Sequence, residues 1–168
     1  GYASFISNKI YEESSTHLRE IYAEVQKEFA SLTNTNWNML MDWDEYLSHG
    51  LDDLDENDLD KYFQSDKDRW GYSEVYFLNE QSDYVTLDRK YGHLDCGSQI
   101  RPLLQEKQNV VMDTVQRGEN HLTIFAIPAK KNFYYGFPYT AVAVSYDNAS
   151  LAKALNITAF SGKSRCYM

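Results

Sequence analysis

The sequence is poor in residues that break, staple or membrane-insert a chain. Its 168 residues include only 3 Pro, 8 Gly and 2 Cys. No Pro or Gly stands between Tyr2 and His49, so nothing there forbids a long helix. No apolar run approaches the eighteen or so residues a membrane span needs. The opening GYASFISNK has no apolar stretch of a secretory leader. Cys96 and Cys166 are too few for a disulfide scaffold, and their spacing fits no zinc motif. Two reduced, buried thiols are expected, with a single disulfide as the alternative. Positive charge is also scarce, at 16 Lys+Arg against 25 Asp+Glu. A nucleic-acid partner is therefore not expected, because it needs a basic stripe to displace phosphate counterions.

Aromatic and apolar side chains are plentiful. Hydrophobic residues make up 43% and aromatics 15%, with 14 Tyr. That is enough for the core of one domain, or of one domain with an appended helical element. The formal charge of −9 is local. Residues 42–68 hold eleven acids against Lys61 and Lys67, and the remaining 14 acids are matched by 14 bases. This acidic block is expected to be a solvated connector. Within it, Asp53-Leu-Asp55-Glu-Asn57 imitates the start of an EF-hand loop, but Asp58 stands where the loop needs Gly and Gln64 where it needs Glu. A short helix capped by Asn57, with Leu59, Tyr62 and Phe63 turned inward, is the expected structure.

Residues 3 to about 48 have helical periodicity. Ile10, Leu18, Ile21, Tyr22, Val25, Phe29 and Leu32 line one face. The polar stretch Thr33–Asn38 is the expected break, since Asn and Thr favour caps and turns. From Gly71 the period becomes 2, with strands at 73–79 and 83–88, then a polar loop, RKYGHLDCG. A helix is expected from Ser98 to Gly118, with Pro102 in its first turn and Ile100, Leu103, Leu104, Val111 and Val115 inward. Strands follow at 121–129 and 139–146, joined by the aromatic loop KKNFYYGFP, and Asn148 caps a short helix at 149–155. Consecutive strands on short links, with helices collected at one side, give an α+β fold around an antiparallel sheet.

This order of elements resembles the Cache (PAS-like, PDC) extracellular sensor domains of bacterial transmembrane receptors. The segments that carry the resemblance are the long N-terminal helix, VYFLNEQSDYVTLD, LTIFAIPA, and the run from Gly136 to Met168 containing Ala143-Val144-Ser145-Tyr146, Leu151, Leu155 and Gly162. The resemblance implies an N-terminal helix and acidic connector over 1–70, a PAS-like sensor module over 71–160, and the start of a further strand or second module over 161–168. It also implies a small-molecule ligand, membrane anchorage through spans outside this chain, and a histidine kinase, diguanylate cyclase or chemotaxis output. Amine-binding Cache domains carry a spaced Tyr/Arg/Trp/Tyr/Asp set that does not align here, because Arg69-Trp70 precedes the first strand. The ligand class is therefore left open.

Ligand pockets tend to be lined by aromatics with a few polar anchors. Phe133, Tyr134, Tyr135, Phe137 and Tyr139 cluster beside Tyr91 and Tyr146, and Arg101 offers a charge for a carboxylate. The candidate ligand-binding residues are Tyr91, Arg101, Phe125, Tyr134, Tyr139 and Tyr146. No catalytic, metal or cofactor site is expected. His93, Asp95, Cys96 and His121 lie near one another, but their spacing matches no nucleophile or zinc signature, which makes a structural role the expectation. The expected function is an extracytoplasmic ligand sensor that relays its signal through the N-terminal helix, with the helical stripe as a homodimer seam. The rivals are a protein-interaction module using that helix and the acidic block, and a small hydrolase using Cys96.

Overall fold

The computed structural model describes residues 2–49, 56–116 and 120–155. Among them, α1 (Tyr2–His49) and α2 (Glu56–Trp70) precede a six-stranded antiparallel sheet. Its strands are β1 (Glu74–Leu78), β2 (Asp83–Thr86), β3 (Tyr91–His93), β4 (Val110–Gln116), β5 (Asn120–Tyr134) and β6 (Phe137–Asp147), in the order β3-β2-β1-β6-β5-β4. A 3-10 turn (Gly97–Ile100) and α3 (Arg101–Leu104) lie between β3 and β4, and α4 (Asn148–Ala154) follows β6. The fold is α+β, as expected.

Each face of the sheet has its own core. On one, Leu40, Trp43 and Leu47 of α1 and Leu59 and Phe63 of α2 pack on Val75, Phe77, Phe125, Ile127, Tyr139, Val142, Val144 and Tyr146. On the other, the 94–104 segment contributes Leu94, Cys96, Ile100 and Leu103, which cover Tyr76, Leu78, Met112, Ile124, Ala126, Ala141 and Ala143. The strands are buried on both faces, hence the long apolar runs of β5 and β6.

Four expectations are corrected. First, α1 does not break at Thr33–Asn38, because the inward polar groups there are taken up by partners while Asn34, Thr35 and Asn38 face solvent. Thr33 Oγ1 donates to the Phe29 carbonyl at 2.8 Å. Trp37 Nε1 donates to the Val110 carbonyl at 3.1 Å. The fully buried Asn36 accepts from the Tyr72 hydroxyl at 2.6 Å, while its Nδ2 donates to the Tyr146 hydroxyl at 3.2 Å. Tertiary bonds here outweigh the turn preference of Asn and Thr.

Second, the helix expected from Ser98 to Gly118 ends at Leu104. Lys107 takes a positive φ of 56°, and Val110–Gln116 pairs with β5. The i, i+4 spacing of Val111 and Val115 imitated a helix, while the β-branched content and the inward Met112 favour a strand. Val115 is exposed. Gly118 lies outside the described residues.

Third, the loops are shorter than expected. Tyr91–His93 of the polar loop forms β3, and KKNFYYGFP is a continuation of β5 and β6 around a two-residue turn. Tyr135 (φ 47°) and Gly136 (φ 79°) both take the left-handed conformation that such a hairpin turn requires. The cap of α4 is Asp147, whose side chain accepts from the Ser150 N–H at 2.7 Å, and Asn148 is the helix's first residue.

Fourth, the acidic block ties the helices to the sheet. Asp44 accepts the Lys130 backbone N–H at 3.2 Å, and Glu45 pairs with the Lys130 ammonium at 3.4 Å. Trp43 Nε1 donates to Asp66 at 2.8 Å, joining α1 to α2. Asp60 accepts from Arg89 at 2.7 Å, from Tyr135 at 2.6 Å and from the Tyr134 hydroxyl, gathering two turns of the sheet onto α2. Asn57 lies inside α2, and Tyr62 faces solvent beside the inward Leu59 and Phe63. Asp53 and Asp55, the start of the EF-hand-like motif, and the whole 161–168 segment lie outside the described residues, whereas Asp58 and Gln64 are helical.

Two buried tyrosines on the helix-facing side of the sheet make contrasting predictions. The Tyr146 hydroxyl partners Asn36, whereas the Tyr139 hydroxyl, closed in beside Asn132, makes no hydrogen bond of good geometry. Urea unfolding of Tyr146→Phe should show a loss of about 1–2 kcal/mol, because Asn36 is left short of a buried partner. Tyr139→Phe should be neutral within about 0.5 kcal/mol, or stabilising. Equal losses in both variants would contradict this assignment.

Candidate functional site

The six candidate ligand residues are not gathered into one cavity. Phe125 and Tyr146 meet edge-on at 5.7 Å within the core under α1. Tyr134 stacks on Phe77 at 4.1 Å, and Tyr139 meets the same ring edge-on at 5.1 Å. These four rings are almost wholly buried. Burial raises the phenols of Tyr134, Tyr139 and Tyr146 above their ordinary titration range. Tyr91 is exposed at the sheet's edge, 6.0 Å from Phe137. Arg101 stands apart, in the segment that covers the opposite face.

That segment borders an open groove of about 660 Å³. One wall is the β1–β2 turn (Glu80, Gln81, Ser82), and the other is the 3-10 turn with α3 (Gly97, Ser98, Ile100, Arg101, Leu104, Gln105). Local chemistry fixes both. In the β1–β2 turn, the Asn79 side chain accepts the N–H groups of Gln81 and Asp83, each at 3.0 Å, and Ser82 takes φ 66°. The Ser82 carbonyl accepts the Leu94 N–H at 2.8 Å, joining the two walls at their base. In the second wall, Pro102 stands in the first turn of α3, and Ile100 and Leu103 are sunk in the core. The Gln99 amide clips the segment to β4, donating to the Asp113 carbonyl at 3.1 Å and accepting its N–H at 3.0 Å. Thr114 Oγ1 donates to the Asp95 carbonyl at 2.6 Å.

Beneath the segment, Ala126, Ala141 and Ala143 form a floor of small side chains, with Ala126 paired to Ala143. Tyr76 stands beside it with its hydroxyl 3.1 Å from Ser145 Oγ. Burial pushes the Tyr76 phenol up to about 12. The groove itself presents one exposed carboxylate (Glu80), one exposed guanidinium (Arg101), several amide and hydroxyl groups, and the apolar side chains of Ile100 and Leu104. Such a surface can hold a small polar molecule by its charges. Glu80, Gln81 and Ser82 were not among the sequence candidates. The Asn79–Asp83 turn chemistry was visible, but which segment it faces was not.

The neighbourhood of Cys96 is unsuited to nucleophilic chemistry. Cys96 is buried, and desolvation, then Asp95 and Asp113, push its thiol up to about 11. His93 pairs with Asp83 at 2.9 Å and His121 with Asp113 at 3.5 Å, so the two imidazoles serve separate partners. Among the described residues, no group of three His, Cys, Asp or Glu side chains is placed to hold a metal ion. Cys166 lies outside them.

No protein-family model and no curated protein matches the sequence. Solved structures do match the fold. The ligand-binding domain of the Campylobacter jejuni chemoreceptor Tlp3, in complex with 4-methylisoleucine, superimposes with a TM-score of 0.58 at 10% identity, over 86% of this chain and 63% of that one. The ligand-binding domain of the Pseudomonas aeruginosa PAO1 amino acid chemoreceptor PctC, in complex with GABA, gives 0.55 at 16% identity, over 89% and 67%. The sensor domain of the V. cholerae histidine kinase DctB gives 0.52 at 9%, over 86% and 58%. This chain therefore has the fold of the ligand-binding sensor domains of chemoreceptors and histidine kinases, as the Cache resemblance implies. It spans between 58% and 67% of the length of those domains. No helix among the described residues is long and apolar enough to cross a membrane.

The Cys96 environment sets an expected outcome. In the folded domain at pH 7–8, iodoacetamide should modify Cys96 at least about tenfold more slowly than in urea, with the rate rising as pH climbs toward 11. Peptide mass mapping would separate Cys96 from Cys166. Rapid, selective alkylation of folded Cys96 would restore the nucleophile reading.

Proposed function

We propose that this chain is the ligand-sensing part of a transmembrane signalling receptor, lying outside the cytoplasmic membrane and performing no catalysis itself. The observation that carries this proposal is the match of nearly nine-tenths of the chain to ligand-binding domains of receptors. The parent would be a histidine kinase, diguanylate cyclase or chemoreceptor, anchored by spans outside this sequence. Residues 71–160 would form the sensing module, residues 1–70 the relay, and 161–168 the start of a further element.

The groove beside Arg101 is the ligand site in this account. Its guanidinium would take a carboxylate, and Glu80 across the groove would take an ammonium or other donor. The matched Tlp3 and PctC domains hold 4-methylisoleucine and GABA, which carry both groups. A small amino acid is accordingly the first ligand class to try. Phe125, Tyr134, Tyr139 and Tyr146 would then act between sheet and helices, with Tyr91 at the rim of the hairpin end. The exposed Ile6, Leu18 and Tyr22 on the first half of α1 would form the seam of a homodimer. Ligand-induced closure of 97–105 over the groove would bias how the sheet holds α1.

A thermal-shift screen of amino acids and small carboxylic acids tests this directly. At a concentration near 100 times its Kd, a true ligand adds about 2.7 kcal/mol of stability, which corresponds to a rise of several degrees in Tm. Arg101→Ala should abolish that rise while leaving the unliganded Tm unchanged, since Arg101 is exposed. A ligand whose shift survives Arg101→Ala would move the site elsewhere. A screen without any shift would remove the small-molecule sensor in favour of an interaction module.

A further inference from the structure

The outer side of the α1–α2 pair carries an open aromatic surface that neither the groove nor the dimer seam uses. Tyr46 of α1 and Tyr62 of α2 pack with ring centroids 5.6 Å apart and planes tilted by 31°. They remain 40% and 48% exposed. Beneath them Phe63 meets Tyr62 edge-on at 5.7 Å and Trp43 at 4.8 Å, so the pair stands on a rigid base. Its surroundings are acidic. Asp42 lies one turn before Tyr46 on α1 and Asp66 one turn after Tyr62 on α2, which sets both carboxylates beside the rings. Asp66 is held in position by the Trp43 indole. Arg69, one turn further along α2, lies over the Trp70 ring at 5.6 Å.

We propose that this outer α1–α2 face, centred on Tyr46 and Tyr62, docks a basic amphipathic segment of a partner protein. Two adjacent ring faces bordered by carboxylates accept guanidinium and ammonium groups through cation–π and ionic contacts together, and the rings also take aliphatic side chains. The charge pattern selects the occupant. Asp42 stands one turn before Tyr46, and Asp58 and Asp66 stand one turn before and after Tyr62, against Arg69 alone, so this face is net negative and a basic partner is steered to it. A second copy fits less well, because its bases outside that block are matched by equal numbers of acids. An anionic membrane surface would be repelled.

Fluorescence anisotropy with a labelled helical peptide of leucine alternating with lysine and arginine provides the test, at physiological salt. The full chain should bind it, and Tyr46→Ser/Tyr62→Ser should weaken binding by about tenfold at a temperature where circular dichroism shows the variant still folded. Tyr62→Phe, which keeps the ring, should bind nearly as the parent does. Three results would overturn the proposal. The first is no binding by the parent chain. The second is binding that ignores the tyrosines and responds only to salt. The third is a wild-type dimer in sedimentation that Tyr62→Ser disperses, which would assign the face to self-association.

Discussion

The Asn36 side chain, closed off from solvent between the hydroxyls of Tyr72 and Tyr146, fixes the position of α1 on the sheet. A purely apolar helix face can slide or rotate at little cost, since the hydrophobic effect has no direction. A buried amide cannot, because displacing it strands three polar groups in a dry interior. Trp37 adds a second fixed point on the Val110 carbonyl and Asp44 a third on the Lys130 N–H. These three residues set α1 at one height and one rotation. The two turns gathered by Asp60 complete the frame from the side of α2.

This constraint gives the proposed sensing mechanism its physical content. The helix-facing core and the groove-facing core share the same strands, with residues alternating between them along β1, β5 and β6. Tyr76 and Ala143 face the groove side, while their neighbours Val75, Phe77, Val142 and Val144 face the helices. A packed sheet transmits displacement because its interior has few voids to absorb it. Movement of the 97–105 wall would therefore be felt at α1 through side chains that have discrete, hydrogen-bonded positions.

The fold class and part of the element order could be read from the sequence because they depend on local periodicity. The apolar, β-branched and aromatic runs of β1, β5 and β6 and the Pro/Gly-free stretch of α1 announced themselves. What failed depended on partners distant in sequence. Asn36 lies 110 residues from Tyr146, so its sequence neighbours suggested a break where the structure has an anchor. Val111 and Val115 fitted two periods, and only pairing with β5 decides between them. The aromatic-rich 133–139 segment pointed to a pocket, but alternation along the hairpin sends Tyr134 and Tyr139 into the core and leaves Phe133 outside. Arg101 was singled out by its charge at the start of a helix. Glu80, facing it across the groove, belongs to a turn whose tertiary neighbour no local pattern reveals. The acidic block was visible as composition, while its role as a set of tethers required the positions of Arg89, Lys130 and Tyr135.

Amide hydrogen exchange, followed along the chain with and without an amino acid that raises its melting temperature, tests most directly whether groove and helix are coupled. The account predicts slowed exchange at 80–82 and 97–105, accompanied by a change at α1 residues 33–47, where Asn36 and its neighbours hold the sheet. Ligand protection that leaves 97–105 unaltered, or that stops at the groove with α1 unchanged, would contradict it.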